Sequence, residues 1–314
     1  MNVSLHSIEF EAGEKRDIAD LFSSDSADML DSVTRSNGPL NYRKAKSDSF
    51  TLARTSVKKT LDSSGINPND IDAIIYASNS MENYYEGGHA NNISKICEDL
   101  SLDKATIHGV AYNDCANLVS ALMLAVGLIS AARARHIIVV TVDLCTEEKK
   151  RFFFRGAPLC IYSDAAASCI ISRDYKRDFE LLCVNSRCDH SLPVLMSTDS
   201  LAYSNKLRSV LKSLGDDVVS KGLPLDKAQF ITINTLAKSG DALSIAFKIP
   251  SQNIMRGVMP EFAHTYGADV LIGCWHYIKN TPEQLNPDNE FILMLLGTRQ
   301  TWGIIALRRT FQSE

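Results

Sequence analysis

The chain has 314 residues, 45% hydrophobic and 22% charged, with a formal net charge of −4. This is the make-up of an ordinary globular protein, with room for one large domain or two fused halves of about 150 residues each. No basic excess suits nucleic acid, and the longest apolar runs, around Leu118–Ile129 and Phe291–Leu296, are too short to span a membrane.

The opening MNVSLHSIEFEAGEKRD has no basic stretch followed by an apolar one, so no signal peptide is expected and a cytoplasmic chain is read. Further on, GINPNDIDAIIYASN reads as a turn entering a buried strand. AYNDCANLVSALMLAVGLISAA is a small-polar loop that opens an apolar helix, with Leu118, Leu122 and Val126 at helical spacing. HIIVVTVD and AAASCIISRD follow as strands apolar on both faces, which suits a central sheet covered by helices. In the SDAAA stretch between them, Asp164 reads as a turn former rather than an acid.

A second pass of the same kind begins near residues 172–180. GLPLDKAQFITINTL again sets Gly, Pro and an acid before a β-rich run. EFAHTYGADVLIGCWHYIKN again opens an apolar helix after a polar loop, and EFILMLLGT and WGIIALRRT are again apolar strands. The chain is therefore written twice. Residues 1–175 form one strand-helix half, which carries Cys115, and residues 176–314 form the other, which carries Asn234 and His264. Cys115 and His264 stand at corresponding helix starts. Packing the halves about a pseudo-twofold axis would bring them together, with Asn234 at the end of the second-half strand. A thiol at a helix N-terminus feels the positive end of the dipole, and a nearby imidazole can take its proton.

The eight cysteines form no CxxC pair, and most lie in apolar runs, as reduced core residues do. Cys188–Asp189–His190 lacks a second ligand pair at zinc-like spacing, so no metal is expected. Lys206, Arg208 and Lys212 recur at helical spacing, and Lys238, Lys248 and Arg256 lie near the second-half motif. Either set reads as a solvated face or as a patch for an acidic carrier protein or a phosphopantetheine phosphate.

Taken in order, these segments resemble the β-ketoacyl-acyl-carrier-protein synthase III group of the thiolase fold over nearly the whole chain. YNDCANLVSALMLAVGLISAARARHIIVVTVD is similar to that group's nucleophile loop, helix and strand, RGAPLCIYSDAAASCIIS to its RG…FGDGAGA segment, and EFILMLLGTRQTWGIIALRRT to its last Gly-rich loop and strand. The resemblance implies an α/β chain of two duplicated halves in a five-layered αβαβα arrangement. It makes Cys115 the acyl-accepting nucleophile and places Gly297 and Thr298 in the loop whose amide helps hold the oxyanion. Where the group has HQAN this chain has Asn234, and where it has GNT this chain has His264, an exchange like that of the true thiolases. The thiolase base cysteine has no counterpart in GTRQTWG.

The implied activity is acyl transfer from a CoA or acyl-carrier-protein thioester onto Cys115. Decarboxylative C–C condensation with a malonyl-type thioester in biosynthesis would follow. The alternatives are O- or N-acyl transfer, or a catalytically silent partner subunit. CoA or phosphopantetheine thioesters enter as substrates, with no bound cofactor. The expected assembly is a homodimer or a heterodimer with a paralogue, with no nucleic acid and no membrane span.

Overall fold

A computed structural model describes residues 2–22, 27–35, 38–79, 89–147, 151–154, 158–175, 177–233, 237–255, 258–280 and 291–310. In chain order its first half holds β1 (Val3–Ala12), β2 (Glu14–Asp17), α1 (Ala27–Arg35), β3 (Asn41–Lys44), α2 (Ser49–Ser64), β4 (Ala73–Ala77), α3 (His89–Asp99), β5 (Thr106–Val110), α4 (Asn117–Ser130), β6 (His136–Asp143), β7 (Phe152–Phe154), β8 (Pro158–Ile161) and β9 (Ala165–Arg173). There follow β10 (Phe179–Cys188), α5 (Leu192–Thr198), α6 (Ser200–Val219), β11 (Ala228–Thr232), α7 (Ala237–Phe247), α8 (Met259–Phe262), α9 (Ala268–Asn280), β12 (Phe291–Thr298) and β13 (Thr301–Arg309).

Why these segments become strands is plain from their burial. All eight residues of β6 and the first eight of β9 are buried, so every position favours apolar or small side chains. Helix α2 starts where the Asp48 carboxylate accepts from the Thr51 amide, and it stops at Gly65, whose φ of 69° few other residues adopt without strain.

The strands form one nine-stranded sheet in the order β11-β12-β13-β10-β1-β9-β6-β4-β5. Its middle is the antiparallel contact of β1 with β10, at Ser4 opposite Glu180 and Leu5 opposite Phe179. Outward from this seam the two flanks repeat each other. The next strand is antiparallel (β9 or β13), the one after is antiparallel again (β6 or β12), and the fourth is parallel (β4 or β11).

Five layers result. Leu118, Val119 and Leu122 of α4 share one core with Val270, Leu271 and Ile272 of α9, between the two flanks of the sheet. Outside the first flank, Leu52 and Val57 of α2 and Ile93 and Ile96 of α3 cover Ile74, Ile138 and Val140. Outside the second, Leu211, Leu214 and Val218 of α6 and Phe247 of α7 cover Phe230, Leu293 and Ile304. The two flanks bury Leu118, Leu122, Ala125 and Ile129 of α4 between them, while Met123 on its remaining face is 38% exposed.

One buried polar knot near the seam makes stability pH-dependent. His6 Nε2 and His136 Nδ1 both lie 2.8 Å from Ser172 Oγ, and His6 Nδ1 lies 3.0 Å from Ser7 Oγ. Burial, then Arg177 and His136, lower the His6 pKa from 6.5 to about 3. The unfolded chain therefore binds this proton more readily than the folded one. Stability from this group is complete above pH 6.5 and declines as pH falls towards 3, by up to about 5 kcal/mol over the window. Urea midpoints measured at pH 4.5, 5.5 and 7 should rise with pH, and His6→Gln should flatten that rise. Parallel pH curves for variant and wild type would exclude His6 as the cause.

Candidate active site

The loop after β5 reverses the chain through two non-glycine residues of positive φ, Tyr112 at 72° and Asp114 at 49°. Such conformations cost on the order of 1 kcal/mol or more each and persist only where the surroundings impose them. Here the anchor is Asn113. Its carbonyl accepts from the Ala116 amide at 2.9 Å, and its amide donates to Asn117 Oδ1 at 3.0 Å. Its side-chain nitrogen donates to Ser120 Oγ at 3.1 Å, and its side-chain oxygen accepts from Thr301 Oγ1 at 3.3 Å. Asn117 in turn donates to Asn79 Oδ1 at 2.8 Å, and the Asn79 amide donates to Asp143 Oδ1 at 2.6 Å. The result is a fixed turn, Asp114–Ala116, with Cys115 buried at the mouth of α4.

Cys115 Sγ lies 3.2 Å from His264 Nε2, a contact between residues 149 apart in the chain. The His264 backbone hangs on residues 161–163. Its amide donates to the Ile161 carbonyl and its carbonyl accepts from the Ser163 amide, both at 2.8 Å. The other ring nitrogen, Nδ1, donates to Asp269 Oδ2 at 2.5 Å. Asp269 stands in the first turn of α9, and its second oxygen accepts from the Thr265 amide at 2.6 Å and the Thr265 hydroxyl at 2.7 Å. The histidine tautomer follows from these bonds. Nδ1 carries hydrogen, so Nε2 is free to accept the thiol proton.

Cys115, His264 and Asp269 are 3%, 1% and 1% exposed, so solvent screens their mutual field little. Burial pushes the Cys115 thiol up, and His264 offsets only part of that rise. Burial also disfavours a charged imidazole, but Asp269 and then Cys115 overcome it and hold His264 well above the usual histidine range. The arrangement sets a thiol, an imidazole and a carboxylate in series, the order that a nucleophile, its base and an orienting acid would take.

The two helix starts are brought this close by Gly267. A Cβ there would lie 2.8 Å from Thr141 Oγ1 and 3.3 Å from the Cys115 carbonyl, so a larger residue would displace the Thr141 hydroxyl and crowd the Cys115 turn. Tyr162 and Tyr266 stack at 4.8 Å, with each ring 5.5 Å from the His264 ring. On the other side, the β12–β13 hairpin leans on the nucleophile turn through Thr301, and Arg299 Nε lies 3.9 Å from Asp114 Oδ2. Gly297 closes that hairpin opposite Trp302 at φ 153°, and Thr298 pairs with Thr301 in the same ladder.

Of the residues singled out in the sequence, Cys115 and His264 meet, and Gly297 and Thr298 lie in the adjoining hairpin. Asn234 and Arg256 lie outside the described residues, as does the side chain of Lys238. Lys248 is exposed after α7, in a groove shared with Lys212 and Asp226. Lys206 pairs with Asp189 at 3.2 Å and Lys212 with Asp216 at 2.7 Å. No group of three His, Cys, Asp or Glu suited to a metal occurs among the described residues. No helix among them is long and apolar enough to cross a membrane.

One acid goes unread in the sequence and another differs from its reading. Asp269 passes in the sequence as an ordinary first-turn helix acid. Its signal is a lone carboxylate opening the otherwise apolar ADVLIGC, five residues after His264. Asp164 is no exposed turn former; it is 3% exposed and ion-paired with Arg151 at 2.9 Å.

Comparison with known proteins agrees with this architecture. No protein-family model matches the chain. It is 20% identical over 282 residues, 82% of its own length and 80% of the relative's, to the beta-ketoacyl-[acyl-carrier-protein] synthase III of Phocaeicola vulgatus. The structure of the acyltransferase ChlB3 superposes with a TM-score of 0.83 at 13% identity, over 99% of this chain and 98% of that one. The 3-oxoacyl-[acyl-carrier-protein] synthase III of Aquifex aeolicus superposes with a TM-score of 0.75 at 16% identity, over 98% and 99%. The chain thus has the thiolase fold in the form shared by these synthase III proteins.

Proposed function

We propose that this synthase III-like chain is a thioester-dependent acyltransferase that loads an acyl group onto Cys115 and delivers it to a hydroxyl or amine. The observation that carries this reading is the bond series Cys115 Sγ to His264 Nε2 and His264 Nδ1 to Asp269. In the first half-reaction His264 takes the thiol proton as sulfur attacks the thioester carbonyl. Backbone amides of Cys115 and Gly297 are the donors proposed for the oxyanion. The departing CoA or phosphopantetheine thiolate takes the proton back from His264. In the second, His264 removes the proton of the acceptor O–H or N–H as it attacks the acyl-cysteine carbonyl, then returns it to the Cys115 sulfur.

A histidine fixed by a carboxylate is built to accept protons, which an alcohol or amine supplies. Decarboxylative condensation places a different demand on the site. The malonyl enolate needs two donors, and the resemblance assigns the second to Asn234. The synthase name of the curated relative favours this second reading. For assembly, β5 is one of the two outer strands of the sheet among the described residues, with Ile107 42% exposed. A second copy or a paralogue pairing along that edge is the proposed dimer.

Intact mass spectrometry after incubation with acyl-CoAs and acyl carrier proteins tests the reading. Wild type should gain one acyl mass, and Cys115→Ala should gain none. The adduct should then be discharged by an alcohol or amine acceptor. Discharge by malonyl thioester alone would move the assignment to condensation. No adduct on folded protein would point to a silent subunit.

A further inference from the structure

We propose that the buried Arg151–Asp164 pair is a positioning device for His264, an inference that rests on the catalytic role proposed above for His264. The guanidinium grips the carboxylate with both forks, Nη1 to Oδ1 at 3.1 Å and Nη2 to Oδ2 at 2.9 Å. The pair is almost wholly buried, with side chains 2% and 4% exposed. Neither charge can be satisfied by water, so each must find protein partners.

Those partners are backbone groups at a junction with no regular ladder. Arg151 Nη1 also donates to the Tyr162 carbonyl at 3.2 Å, and Nη2 to the Cys145 carbonyl at 3.1 Å. Asp164 also accepts from the Cys145 amide at 2.8 Å and the Ala45 amide at 2.9 Å. The Arg151 carbonyl accepts from the Tyr162 amide at 2.8 Å, and the Tyr42 ring lies 5.2 Å beneath the guanidinium. Two side chains thus tie together residues 42–45, Cys145, Arg151 and residues 162–164.

The third of these segments carries the histidine. Ser163 donates its amide to the His264 carbonyl, and Ile161 accepts from the His264 amide. Asp269 fixes which way the ring points, and residues 161–163 hold both backbone groups of His264 itself. The 3.2 Å approach of Nε2 to Cys115 needs both. An apolar pair of similar volume would fill this space, but it would leave four backbone groups without the partners named above. A lysine at 151 would keep the charge and lose the fork.

The test is the rate at which iodoacetamide alkylates Cys115, followed by peptide mass across pH 5–9, with the melting temperature read in parallel. In wild type the alkylation should rise with pH to a midpoint that the Cys115–His264 pair sets. Arg151→Lys should slow it about tenfold at pH 7 and move the midpoint of the profile upward by about one unit, as a displaced base requires. A role in stability alone would lower the melting temperature and leave that midpoint in place, and this result would overturn the proposal. Asp164→Asn is the second variant, used if the lysine variant does not fold, and the same midpoint decides it. A wild-type profile with an ordinary thiol midpoint would instead refute the Cys115–His264 pairing, and the positioning role with it.

Discussion

Replacing Asp269 with Asn should lower kcat for acyl transfer by on the order of 10³–10⁴ while leaving the fold intact. The reasoning is one of hydrogen inventory. Asp269 is acceptor-only, and three donors converge on it: His264 Nδ1, the Thr265 amide and the Thr265 hydroxyl. An asparagine has one oxygen and one NH2 group. If the oxygen stays with Thr265, the NH2 faces His264 Nδ1 and forces the hydrogen of the ring onto Nε2. Nε2 then points a proton at Cys115 and cannot accept one. If the amide is turned round, NH2 meets the Thr265 N–H and the tautomer survives only at the cost of a buried clash of donors. Steady-state kinetics, Cys115 alkylation and thermal melting on one preparation separate these effects. Turnover within a few-fold of wild type would remove Asp269 from the chemistry and leave His264 as an unassisted base.

Gly297→Ala should both destabilise the protein and disarm it. The added Cβ would sit 2.6 Å from the Thr301 carbonyl oxygen and 2.7 Å from Trp302 Cα and its ring atom Cδ2. Two of these are backbone atoms of the facing strand, so no rotamer change relieves them. A φ of 153° adds strain that glycine alone escapes. Overpacking and backbone strain together amount to about 3–5 kcal/mol, a fall of roughly 5–8 °C in melting temperature for a chain of this size. The hairpin must open to admit the methyl, and it carries Thr301, whose hydroxyl holds Asn113 in the nucleophile turn. Acyl loading should therefore fall even at temperatures where the variant is folded. A variant melting within about 2 °C of wild type would show that the hairpin yields freely, contrary to the geometry at Gly297.

The duplication was legible because buried strands and the central helices leave one-dimensional traces. HIIVVTVD, AAASCIIS and FILMLLGT can hardly be anything but strands covered on both faces, and LVSALMLAVGLI declares a helix wrapped by sheet on both sides. Cys115 and His264 were legible because each breaks a polar loop at the start of such a helix. Asp269 was not, because an acid in a first turn is what the helix dipole already favours, so the residue carries an innocent explanation with it. Asp164 was misread for a related reason. Asp between small residues is common in turns, and nothing in the local sequence tells that Arg151, thirteen positions earlier, folds back onto it. Pairings of this kind live in tertiary geometry and leave no period in the chain.

That the thiol and its base come from opposite ends of the fold bears on how the protein is made. Synthesis must add 149 further residues after Cys115 before His264 exists, on the order of ten to thirty seconds at ordinary elongation rates. Throughout that interval the emerging first half carries a cysteine with no imidazole beside it and no Asp269 behind it. On the acyl-transfer role proposed for Cys115, the nascent chain would meet acyl thioesters as a poor nucleophile. Its reactivity would then rise only when the second half docks, so that reactivity reports on folding.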